Sequence, residues 1–172
     1  MGQSLSAAQR VKGTLINSSD FITACDAAYD HCLSLTQHAF PGVFPYQLPS
    51  AADHIHSNLT TAYHHHLILR WVPSPPNRTQ VDSALKAVLR QQKSDGDEII
   101  LGHAQFKDWA TMVFVDAVVG NAVKTVLARV PIGVAGIVGV GAVTRSRKDW
   151  VGAAIGVYAL SVATSVYLGL SG

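Results

Sequence analysis

Apolar positions recur at helical spacing through the first two thirds of the chain and crowd together in the last third. Phe21, Ala24, Cys25, Ala28, Cys32 and Leu35 share one face of a helix expected over 20–38, with Ser18, Ser19 or Asp20 as its cap. The following stretch, 39–50, sets Pro41, Gly42, Pro45 and Pro49 among aromatics, so the chain must turn there. A second helix is expected over 51–71 behind Ser50, and Pro73-Ser74-Pro75-Pro76 ends it. A third spans 79–92 with Val81, Leu85, Val88 and Leu89 inward, and a fourth begins near Ala104. The pattern predicts an all-α protein, with residues 1–19 as a flexible start.

Beyond Thr111 the pattern loses its polar face. Apolar residues and glycines dominate to Val143, interrupted by Asp116, Asn121, Lys124 and Arg129, and a basic turn follows from Thr144 to Asp149. Trp150 to Leu170 is 21 residues without a charge. A helix that spans a bilayer needs about 20 apolar residues, so this run qualifies by length. The arm before it is weaker: Pro131 to Val143 offers 13 uncharged residues and must recruit Val126 to Val130, with Arg129 snorkelling. Small residues sit at helix-packing spacing in both arms: Ala135 with Gly139, Gly152 with Gly156, then Ser161, Ser165 and Gly169. Such residues let helix backbones approach closely in lipid. The reading is a membrane hairpin over 129–172, behind a helical module over 20–128.

Composition agrees. Only 14% of the 172 residues are charged, against about 25% in ordinary soluble domains. The net charge of +2 is scattered and supplies no phosphate-neutralising stripe, which excludes nucleic acid as a partner class. Cys25 and Cys32 lie about 10 Å apart along one helix, beyond disulfide reach, so reduced thiols and a cytosolic setting are expected. The start Met1-Gly2-Gln3-Ser4-Leu5-Ser6 fits the pattern for myristoylation of Gly2. One such chain binds membranes only marginally, so a second signal is required, and the hairpin is the candidate.

Enzyme chemistry finds little support. Eight histidines, densest at His64-His65-His66, invite a metal, yet no two stand three or four apart on one helical face. Only Asp53 and His56 do, which is half a site; consecutive histidines are expected on a solvated helix surface. The run Gly136 to Thr144 lacks the third glycine, preceding strand and acidic ribose ligand of a dinucleotide loop, and helix packing explains it better. Nothing assembles a nucleophile, a base and an oxyanion site.

The most informative segment is Val81 to Phe114. A helix leads into Ser94-Asp95-Gly96-Asp97-Glu98, a short aliphatic run Ile99-Ile100-Leu101, and a second helix opening Phe106-Lys107-Asp108-Trp109. This resembles the EF-hand family in degenerate form, and with the apolar C-terminus it is similar to small plant EF-hand-like proteins. The resemblance implies a pair of helix–loop–helix units, with 20–69 as the partner of 81–114. Asp95, Asp97 and Glu98 are then the candidate calcium ligands. With Gln105 at the twelfth loop position, however, an amide replaces the bidentate Glu, Ile99 replaces the turn glycine, and Gly96 stands at a ligand position. Little or no calcium binding is expected, and no other cofactor.

The function expected is a non-catalytic helical interaction module tethered to membrane lipid, facing the cytosol, with a protein partner. The alternative is a structural or pore-related hairpin that self-associates into a homo-oligomer.

Overall fold

The computed structural model describes the backbone of residues 2–91, 99–143 and 148–170, and the surroundings of side chains in 7–91, 99–129 and 154–170. Seven α-helices occupy the described residues: α1 (Gly2–Ile16), α2 (Ser19–Leu35), α3 (Leu48–Ser57), α4 (His66–Trp71), α5 (Arg78–Gln91), α6 (His103–Val143) and α7 (Lys148–Gly169). The chain divides into two compact units, Met1–Val119 and Gly120–Gly172. That boundary lies earlier than the 128/129 division expected from the charge pattern.

In the first unit the expected flexible start is a helix. Ala7, Val11 and Leu15 recur every fourth residue and are buried, so α1 gains order from packing a narrow apolar stripe. Ser18 then caps α2, its hydroxyl accepting the Phe21 amide at 3.3 Å. On α2, Phe21, Ala24, Cys25, Ala28, Tyr29 and Cys32 are buried.

The helix expected over 51–71 is instead three pieces. It starts at Leu48, with Pro49 in the first turn where a missing amide proton costs nothing, so Ser50 lies inside it rather than at its cap. At Asn58–Ala62 the helix widens into a π turn, and His64 adopts φ 50° before α4 begins. Asn77 and Gln80 cap α5 reciprocally: each side-chain oxygen accepts the other's amide, at 3.0 and 3.1 Å. Val81, Ala84 and Val88 are its buried face, with Leu85 and Leu89 half-buried.

The opening turns of α6 carry the heart of the core. Phe106, Trp109, Ala110, Val113 and Phe114 are fully buried, and the Trp109 indole donates to the Val81 carbonyl at 3.2 Å. Phe21 meets Phe114 edge to face at 5.9 Å. A buried Phe or Trp of this kind is worth about 3–5 kcal/mol against truncation to Ala.

In the second unit α6 continues without a break through residues 129–131, where a separate arm was expected to begin. Among the described residues, one helical stretch is long and apolar enough to cross a membrane, His103–Arg129, and its first half is the core just described. Ala154–Gly169, within the run Trp150–Leu170, is a shorter apolar helix by the same measure. The Tyr158 hydroxyl donates to the Arg129 carbonyl at 3.4 Å.

Candidate functional site

Two segments, 36–47 between α2 and α3 and 99–102 before α6, meet through a two-residue antiparallel bridge. The Val43 amide donates to the Leu101 carbonyl at 2.9 Å, and the Leu101 amide returns the bond at 2.8 Å. Gly42 is required beside it, because a Cβ there would collide with the Leu101 carbonyl oxygen.

Counting from the bridge exposes a correspondence. Gln47 lies four residues after Val43, and Gln105 four after Leu101. Each glutamine turns its side-chain oxygen back onto an amide three residues earlier: Gln47 accepts from Phe44 at 2.9 Å and Gln105 from Gly102 at 2.7 Å. The same device thus starts the short 3-10 turn Pro45–Gln47, which leads into α3, and the helix α6. Gln47 does more. Its amide nitrogen donates to the Cys32 carbonyl at 2.9 Å, in a buried position, so one side chain ties the end of α2 to the start of α3. A glutamate could accept from Phe44 but has no proton for Cys32.

The entry to the first loop is tightly turned, with Gln37 and His38 at φ 52° and 55°. Tyr29 reaches across to donate to the Pro41 carbonyl at 3.3 Å. Phe40, Phe44 and Tyr46 form a contiguous ring cluster, with centroids 4.8 and 5.7 Å apart, and Tyr46 is 71% exposed. Residues 36–47 contain no carboxylate, so this loop has no hard anionic ligand for calcium. The candidate ligands of the other loop, Asp95, Asp97 and Glu98, lie outside the described residues.

Beside the loops, Asp26 of α2 receives His103 Nε2 and Lys107 Nζ of α6, both at 2.8 Å. Partial burial opposes the Asp26 carboxylate, but the hydrogen bonds and charges of Lys107 and His103 outweigh it and hold its pKa below the ordinary 3.8. Cys25 and Cys32 are free and buried; burial pushes the first up to about 12 and the second up to about 11, so neither supplies a thiolate at neutral pH. A cleft of about 290 Å³ is lined by Lys12, Gln91, Asp108 and Thr111 with apolar neighbours. Its one hydroxyl, that of Thr111, already donates to the Lys107 carbonyl.

The histidine cluster departs from expectation. His64 and His66 are exposed, but His65 between them is buried at 5%, because the chain leaves the helix there. Among the described residues no three His, Cys, Asp or Glu side chains come together as a metal cage. Gly2 is the first residue of α1. Ala135, Gly139 and Gly152 lie on α6 and α7, and their surroundings are outside the described residues. Gly156, Ser161 and Ser165 face outward on α7, with open space around Gly156; Gly169 is half-buried.

Sequence reasoning reached Gln105 but missed Gln47 and Asp26. The signal for Gln47 was present as a hydrophobic residue followed by Pro and, three positions on, Gln: Phe44-Pro45-Tyr46-Gln47 is a helix-start pattern. Asp26 carried no local signal.

Compared with protein-family models, curated proteins and solved structures, the chain matches none.

Proposed function

We propose that this protein is a membrane-tethered, non-catalytic interaction module built on two paired helix–loop–helix units of EF-hand-like design, held closed without calcium. The observation that carries the reading is Gln47. In a calcium-binding loop a carboxylate at the twelfth position reaches a metal that gathers the loop's other oxygens. Here a neutral amide at that position joins the two helix ends directly, through Cys32 and Phe44. The loop bridge and the matching cap at Gln105 support the pairing. The exposed rings of Phe40 and Tyr46, seated on buried Phe44, are suited to a protein partner, since aromatic side chains are enriched where proteins meet.

We assign the tether to the second unit, where Val157, Leu160 and Leu168 are each more than 60% exposed on an uncharged stretch of α7. A myristoyl group at Gly2 would be a second, weaker anchor and would place the module in the cytosol.

The experiment is alkaline-carbonate extraction of the full chain beside a truncation ending at Leu127, each in calcium and in chelator. The full chain is expected in the membrane pellet under both conditions, with Gly2→Ala still pelleting, and the truncation in the supernatant. A soluble full chain would refute the tether. Pelleting or protease protection that changes with micromolar calcium would refute the calcium-free closure.

Gly156 favours a second reading, because its open, outward face could seat another helix. If the hairpin self-associates, detergent-resistant oligomers form and Gly156→Leu removes them; monomers throughout dismiss this reading.

A further inference from the structure

Two imidazoles in the first unit are placed where a proton would be unwelcome. His54 of α3 stacks on His31 of α2, with centroids 4.8 Å apart and planes 27° apart. His65, the residue before α4, stacks on His66 at 5.2 Å and 12°. In both pairs the inner ring, His54 or His65, has its Nδ1 enclosed and without a hydrogen-bond partner. A neutral imidazole can leave one nitrogen bare as an acceptor, whereas an imidazolium needs partners for two N–H groups.

The two rings bracket an interruption of the helical framework. Between them lie the π turn Asn58–Ala62 and His64 in the left-handed region at φ 50°. A non-glycine residue held there stores strain that the surrounding packing must offset. The packing comes from Leu59, Leu67 and Ile68, all fully buried, the His65 amide bonded to the Leu59 carbonyl at 2.8 Å, and His56 bonded to the Val72 carbonyl at 2.7 Å.

We propose that His54 and His65 form an acid-operated latch: neutral, they hold α3 and the π turn that follows it closed against α2, and protonation opens the segment 54–72. The inference is independent of the membrane reading, because it concerns the first unit alone.

The electrostatic surroundings agree in sign. Burial first, and His31 second, press the His54 pKa below its ordinary 6.5. Burial first, and His66 second, do the same to His65, against an opposing pull from Asp20 at the start of α2 and from the residue's own backbone. A histidine whose pKa is lower folded than unfolded contributes stability that is present above about 6.5 and is lost as pH falls through the folded value. The working window therefore lies below the ordinary 6.5.

The test is hydrogen exchange of the full chain in detergent micelles at pH 7.5 and 5.5, corrected for intrinsic rates, with proton NMR of the imidazoles in parallel. Exchange in 54–72 is expected to accelerate about tenfold or more at pH 5.5, while 103–118 of α6 changes far less. In His54→Phe/His65→Phe, which keeps flat rings at both places and removes the protons, the acceleration should disappear. An undiminished acceleration in that variant overturns the proposal. Should the variant misfold, the wild-type titration decides: two imidazoles that take up protons below pH 6.5 in step with loss of protection support the latch, and titration without loss of protection overturns it.

Discussion

The first turns of α6 and the body of α7 share an apolar composition and differ in charge and in what surrounds them. Residues 103–118 carry Lys107, Asp108 and Asp116 on a polar edge and 154–169 carry no charge, but both are rich in Val, Ala and aromatic residues. Yet Phe106, Trp109, Val113 and Phe114 are fully enclosed, whereas Val157, Leu160 and Leu168 are mostly bare. Apolar content alone therefore does not say whether a helix is a core or a surface for lipid. What decides is whether other parts of the chain carry complementary apolar stripes. For α6 they do: Phe21 of α2 and Val81 of α5 both reach it.

The sharpest way to break this contrast is truncation of one residue on each side. Trp109→Ala removes a fully buried indole and its hydrogen bond to Val81, and should destabilise the first unit by about 3–5 kcal/mol in urea unfolding followed by far-UV circular dichroism. A loss below about 1 kcal/mol would mean that α6 is not the core helix described.

A smaller effect tests the polar edge of the same α6 turns. Asp26→Asn discards the pair with Lys107 and His103, whose members are exposed enough for solvent to screen them, so the loss at neutral pH should be about 0.2–1 kcal/mol. The sign follows from the depressed carboxylate. Its contribution is present above the ordinary 3.8 and is lost as pH falls through the lower folded value, so wild type and variant converge in acid. A difference that instead grows below pH 4 would contradict the assignment.

The smallest effect is expected on the other side of the comparison. Leu160→Ala exposes no cavity, because Leu160 is 67% exposed, and should change stability in detergent by no more than about 0.5 kcal/mol. A loss of several kcal/mol there would show that α7 is packed like a core helix in solution.

Much of the helical order was legible from spacing alone, and the misses have a common form. Helices α2 and α5 lie within a few residues of the spans expected from their apolar stripes and caps. The helix over 51–71 was read as continuous because its apolar residues keep helical phase, while the π turn that interrupts it leaves little trace in composition. Helix α1 was passed over because its stripe of Ala7, Val11 and Leu15 is narrow, and it becomes convincing only once a core exists to receive it.

The same division runs through the candidate site. The acidic run Asp95 to Glu98 followed by Gln105, and the lack of any acidic residue over 36–47, are written in residue types at fixed spacing, which is information a sequence carries locally. The bond from Gln47 to Cys32 across 15 positions, the meeting of Asp26 with His103 across 77, and the enclosure of His54 and His65 were decided by tertiary structure. Periodicity and caps are set by neighbours along one helix. A polar partner far along the chain is chosen by packing, which brings donor and acceptor together and excludes the water that would otherwise satisfy them.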